Sequence, residues 1–95
     1  MANYNDSLME REVLHSIFEQ YARTHYGAAM TVRELKKFMS VEQHEELTDE
    51  ELKTIITEFE PSILRRKSFL LSASGFSHFM VFSEMHDLID HSQVI

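Results

Sequence analysis

Apolar residues recur along this chain in four short stripes. Leu14, Ile17, Phe18 and Tyr21 form the first, and Leu35, Phe38 and Met39 the second. Leu52, Ile55, Ile56 and Phe59 form the third, and Phe76, Phe79 and Met80 the fourth. Offsets of three, four and seven residues put each set on one face of a helix. The polar residues before the stripes supply starts. Ser7 with Glu10, Thr31 with Glu34 and Thr48 with Glu51 each have the spacing of a capping box. Pro61 lacks an N–H and pushes Glu60 out of helical geometry, so it ends the third helix. Ser72 or Ser74 can cap the fourth. The pattern therefore predicts helices from about residue 7 to 24, over 32–42, from 48 to 59 and over 73–82. A short extended apolar piece precedes the second and fourth helices, around Met30 and around Leu70 and Leu71. The first few residues read as a loose end, and 83–95 as a tail or short extra turn.

The two halves match. The first and third stripes are 38 residues apart, and the second and fourth 41. A duplicated helix–loop–helix of this spacing is the way paired EF-hands are built, since neither hand closes a core by itself. An ordinary four-helix bundle accounts for the stripes but not for the extended step before each even-numbered helix. The expected fold is all-α: a single domain over 1–95 made of two EF-hand-like units. The first hand covers about 7–42, the second about 48–82, and a short two-stranded bridge joins their loops.

A calcium loop needs six to eight oxygens, with Gly at the sixth position and Glu at the twelfth. Counting back from Glu34 gives the window Arg23 to Glu34, with Arg first, His25 third and Ala28 sixth. Its one carboxylate is Glu34, already explained as a capping partner. The second window, Leu64 to Gly75, has no carboxylate and contains Arg65, Arg66 and Lys67. Neither loop is expected to bind calcium, and no cofactor is expected in this chain.

Composition sharpens the picture at a few points. The chain has 95 residues, 43% of them hydrophobic, with 7 Phe, 6 Met, 2 Gly and 1 Pro. That supports one small core and favours helices over a turn-rich β fold. With no Cys, neither disulfides nor a thiolate zinc site can hold the fold, which fits the cytoplasm. No apolar run approaches the roughly 18 residues of a membrane span, and the N-terminal stretch has no signal-peptide apolar region. The net charge of −7 argues against nucleic acid as a partner. Eight acids and one base lie between Glu42 and Glu60, most simply a solvated surface.

Catalytic or metal chemistry has little basis in the residues. Of six histidines, His86 and His91 with Asp87 and Asp90 come nearest to a metal cluster, in the acidic tail. Ser72, Ser74 and Ser77 sit at a helix start, where capping is the usual role, and His78 has no evident orienting acid. Met30, Met39, Met80 and Met85 have the chemistry of an adaptable helix-binding groove, though stripe spacing assigns Met39 and Met80 to the core. The basic cluster Arg65, Arg66 and Lys67 is a candidate contact for an acidic partner or lipid phosphates. Near an anionic membrane each such charge is worth only about 1 kcal/mol, so at most weak peripheral binding is expected.

Read in order, several pieces resemble the second EF-hand-like lobe of phosphoinositide-specific phospholipase C. They are Phe38 with Gln43, Ile55-Ile56, Phe59-Glu60-Pro61, the basic spacer Arg65-Arg66-Lys67, and Gly75-Phe76 with Phe79-Met80. The resemblance covers about Val13 to Asp90. In that family the lobe connects a pleckstrin-like domain and a first EF-hand lobe to the catalytic barrel, and generally lacks working calcium loops. It implies a non-catalytic, calcium-independent docking lobe of a cytoplasmic enzyme that hydrolyses phosphatidylinositol 4,5-bisphosphate. Catalytic histidines and calcium ligands belong to the barrel, so none maps onto this chain, which corresponds to an excised lobe or a short protein keeping only that lobe. Neighbouring domains or a protein partner are the expected contacts, through a surface including Phe82, Met85, Leu88 and Ile89. The competing expectation is a free-standing EF-hand-like adaptor or homodimer that binds a partner helix. A last helix running through Leu88 to Val94 favours that alternative; a chain turning away after Ser83 favours the docking lobe.

Overall fold

Among the described residues, four helices begin where a polar side chain, Thr31, Thr48, Ser62 or Ser72, takes over a free amide of the first turn. A computed structural model describes residues 11–94, with side chains through residue 84. The elements are α1 (Arg11–Tyr21), β1 (Ala29–Met30), α2 (Val32–Glu42), α3 (Asp49–Phe59), α4 (Ile63–Lys67), β2 (Leu71–Ser72) and α5 (Ala73–Val94).

At α2, Thr31 Oγ1 accepts the Glu34 N–H at 3.1 Å while Glu34 Oε1 accepts the Thr31 N–H at 3.0 Å. At α3, Thr48 Oγ1 accepts the Glu51 N–H at 3.2 Å and Glu51 Oε1 accepts the Thr48 N–H at 2.9 Å. Each such cap stabilises its helix by about 1 kcal/mol. The box at Ser7 lies outside the described residues. The end of α3 follows from Pro61, because Glu60 is extended at φ −83°, ψ 120°.

The two extended pieces pair antiparallel, Ala29 opposite Ser72 and Met30 opposite Leu71. This places the loop of the first hand back to back with that of the second. Helix α1 packs on α2 and α5, and α3 packs on α2 and α5, so each hand covers the other's apolar face. The shared centre is aromatic. The Phe76 ring from the second hand lies 5.6 Å from Phe18 and 5.0 Å, edge-on, from Phe38, both from the first. All three are buried, with Leu14, Met30, Leu35, Met39, Leu52, Ile56 and Leu71 around them. Burying each of these Phe side chains stabilises by roughly 1.5–3 kcal/mol. The result is an all-α EF-hand-like fold with a two-stranded bridge.

Two expectations need correction. There are five helices among the described residues, not four: α4 occupies the basic stretch expected to be irregular loop. Ser62 Oγ accepts the Arg65 N–H at 3.3 Å and starts this single turn, which buries none of its residues and so leaves no apolar stripe in the sequence. The last helix also does not stop near Phe82. Residues 83–94, read as a tail, continue α5 to Val94, and this stretch contains no Gly or Pro to break it.

Candidate functional site

Each connecting loop is organised around one carboxylate. In the first, Glu34 on α2 reaches back across the loop. Its Oε2 accepts the N–H groups of Arg23 at 3.0 Å and Thr24 at 2.8 Å, while Oε1 holds Thr31. Burial pushes the Glu34 carboxyl up, but the hydrogen bonds from Thr24, Thr31 and Arg23 outweigh it and hold the group below its ordinary value. The loop turns through Tyr26 at φ 54° and Gly27 at φ 84°, and the Gly27 N–H closes onto the Ala22 carbonyl at 2.7 Å.

In the second loop the anchor is Glu60, which comes from the preceding helix. It is buried at 1% exposure, unusual for a carboxylate and therefore in need of partners. It has them. Glu60 Oε1 accepts the Ser72 N–H at 2.7 Å and the Ser72 hydroxyl at 2.8 Å. Glu60 Oε2 accepts the Ser62 N–H at 3.1 Å and lies 3.6 Å from Arg65 Nη1. Ser72 Oγ in turn accepts the Gly75 N–H at 3.2 Å, so Ser72 rather than Ser74 starts α5. Arg66 Nη1 donates to the Glu60 carbonyl at 3.2 Å.

The two windows are in register in space. Met30, eighth from Arg23, faces Leu71, eighth from Leu64, across the bridge. The twelfth positions are Glu34 and Gly75. A Cβ on Gly75 would lie 2.7 Å from Glu60 Oε1 and 2.7 Å from Leu71 Cδ1. The second loop thus has a carboxylate beside its twelfth position after all, supplied by the incoming helix, and glycine is there to admit it. Chemically, both carboxylates already accept the amide hydrogens of their own loops.

The basic cluster sits on α4 rather than in open loop. Arg65 and Arg66 are tied to Glu60 on one side, while Lys67 is exposed next to Ile63 at 60% and Leu64 at 77% exposure. Phe82 is half exposed and its ring lies tilted against Phe59 at 5.3 Å, and Phe59 meets Phe79 edge-on at 5.5 Å. The side chains of Met85, Leu88 and Ile89, with His86 and His91, lie outside the described residues. Met30 is fully buried, so it belongs to the core rather than to a groove.

An open groove between α1 and α5 is lined by Arg11, His15, Ser74, Ser77 and His78 among others. Its described lining has no carboxylate, and His15 Nε2 is directed to Glu19 Oε2 at 3.1 Å. The described residues contain no group of three or more His, Asp or Glu placed to hold a metal ion. Among them no helix is long and apolar enough to cross a membrane.

Glu60 is the residue that sequence reasoning missed. Two signals pointed to it: an acid at a helix C-terminus, the end the macrodipole disfavours for a negative charge, and a glycine where the window expects Glu.

Two helix–loop–helix units sharing one core, bridged through their loops, define a paired EF-hand-like protein. Residues 4–89 match the family model for the EF-hand-like region of phosphoinositide-specific phospholipase C, and the chain belongs to that family. A comparison with curated proteins gives no match.

Proposed function

We propose that this chain is a non-catalytic, calcium-independent docking lobe of a phosphoinositide-specific phospholipase C, an enzyme acting on phosphatidylinositol 4,5-bisphosphate. The observation that carries the reading is the occupation of both loop carboxylates. A calcium ion requires oxygens free to face it, whereas Glu34 and Glu60 each hold three donors of the chain's own loops. The loops are closed by the protein itself, and the fold is left as a rigid connector. Its partners are neighbouring domains of the parent enzyme, met through α5 from Phe82 onward, where Met85, Leu88 and Ile89 follow. The setting is cytoplasmic, with at most weak membrane contact through Arg65, Arg66 and Lys67.

A second reading has one observation in its favour. Helix α5 continues to Val94, the feature expected of an adaptor or homodimer that associates through a terminal helix. Sedimentation equilibrium separates the two. A monomer that binds a phospholipase C catalytic barrel, with binding weakened by Phe82→Asp, supports the docking lobe. A dimer that Phe82→Asp dissociates, with no affinity for the barrel, supports the adaptor. The chain alone should not hydrolyse phosphatidylinositol 4,5-bisphosphate, and turnover above background would defeat the non-catalytic reading.

A further inference from the structure

The turn that follows α4 carries a feature that the docking role does not use. Ser68 is exposed, at φ −94°, ψ 3°, where its N–H closes the turn onto the Leu64 and Arg65 carbonyls. Its hydroxyl has no hydrogen-bond partner among the described residues. Arg65 and Arg66 stand three and two residues before it, and Phe69 follows it. No other Ser or Thr in the chain has two arginines at that spacing.

We propose that Ser68 is a phosphorylation site for an arginine-directed serine/threonine kinase. Such an enzyme selects substrates by charge pattern. Carboxylates in its substrate groove pair with guanidinium groups N-terminal to the acceptor, a contact that Arg makes in forked geometry and Lys does not. An apolar pocket takes the residue that follows the acceptor, here the half-buried Phe69. The substrate segment must be extended in that groove, and α4 permits it. The helix has five residues and buries none, so opening it belongs to the least stable motions of the fold, and of the segment only Phe69, packed on the edge of the core under the Lys53 ammonium, has to leave an apolar contact.

In the reaction the Ser68 hydroxyl oxygen attacks the γ-phosphorus of MgATP. The bond from that phosphorus to the β–γ bridging oxygen breaks, ADP leaves, and the serine proton passes to the catalytic aspartate of the kinase. The product adds about −1.5 to −2 of charge to a tip holding three cations. It also places an anion at the C-terminal end of α4, within one turn of Arg65, where it competes with Glu60 for the guanidinium.

The folded 95-residue chain is incubated with MgATP and the catalytic subunit of cyclic-AMP-dependent protein kinase, with phosphate located by intact-mass and fragment mass spectrometry. The expected result is about one phosphate per chain on Ser68, lost in Ser68→Ala. Arg65→Ala and Arg66→Ala should each slow incorporation at least roughly tenfold, the scale of one lost charge-assisted contact. Lys67→Ala should change it little. Arg65→Lys, which keeps the charge beside Glu60 but not the planar fork, supplies the same ranking where Arg65→Ala disturbs the circular dichroism spectrum. The proposal is overturned by incorporation only after thermal unfolding, by phosphate on another residue, by no incorporation, or by equal losses for Lys67→Ala and the arginine variants.

Discussion

Replacing Glu60 by Ala removes the acceptor for three donors, and their burial sets the cost. The Ser72 N–H and hydroxyl are buried, whereas the half-buried Ser62 N–H can turn to water. A buried donor left without a partner costs about 1–3 kcal/mol. Two of them give about 2–6 kcal/mol, reduced to about 2–5 because the hydroxyl can rotate. The ion pair with Arg65 adds little, since that side chain is 45% exposed. A domain of this size has roughly 5–15 kcal/mol in total, so the substitution removes a large share. With a urea m-value of about 1–2 kcal/mol per molar, the midpoint should fall by about 1–5 M while m is unchanged. Glu60→Gln should cost less, because one oxygen can still face Ser72 while only the Ser62 amide meets an amino group. Urea unfolding followed by circular dichroism at 222 nm measures both. An alanine variant within about 0.5 kcal/mol of the parent chain, below the range for even one orphaned donor, would refute the reasoning.

Other consequences are narrower. Gly75→Ala, which in an ordinary helix interior gains up to about 1 kcal/mol, should here destabilise, because the new methyl meets Glu60 and Leu71 at 2.7 Å. In combination with Glu60→Ala its cost should shrink, and a strictly additive double-mutant cycle would contradict the close approach. Glu34 has a folded pKa below its ordinary 4.5, so the stability it contributes is complete above that value and is lost as pH falls through the lower folded one. Melting temperature should therefore drop more steeply on acidification in the parent chain than in Glu34→Gln; parallel curves would count against the clamp. Tyr21 is shifted the other way, by burial and by its hydrogen bond to Glu42 at 2.8 Å. Its contribution is present below the ordinary value of 10.0 and is lost as pH rises through the higher folded one, which ultraviolet titration of Tyr21→Phe against the parent chain can follow.

Most of the fold was legible because its determinants are local. Helical stripes and capping boxes need only a few residues of context, and Thr31–Glu34 and Thr48–Glu51 form the hydrogen bonds their spacing promises. The bridge was legible from repetition, since two extended apolar steps at matching places in two hands have only each other to pair with. The site was less so. Glu60 meets Ser72 twelve residues away, a contact no local pattern encodes, and in the sequence it is one acid among sixteen. Helix α4 has no buried face and hence no stripe. The continuation of α5 leaves little trace in the sequence because amphipathicity there is weak, although nothing in the stretch breaks a helix. Among the proposed docking residues, the structure places Phe82, itself half exposed, against Phe59, which in turn meets the buried Phe79.

The measurement that bears most directly on the self-closed loops is a calcium titration of the chain by isothermal calorimetry, repeated with amide NMR. The account predicts no saturable heat, and no calcium-dependent shifts of the Arg23, Thr24, Ser62 and Ser72 amides that the two carboxylates hold. Saturable binding tighter than about 10 μM, the range of calcium sensors, with those amides released, would contradict it.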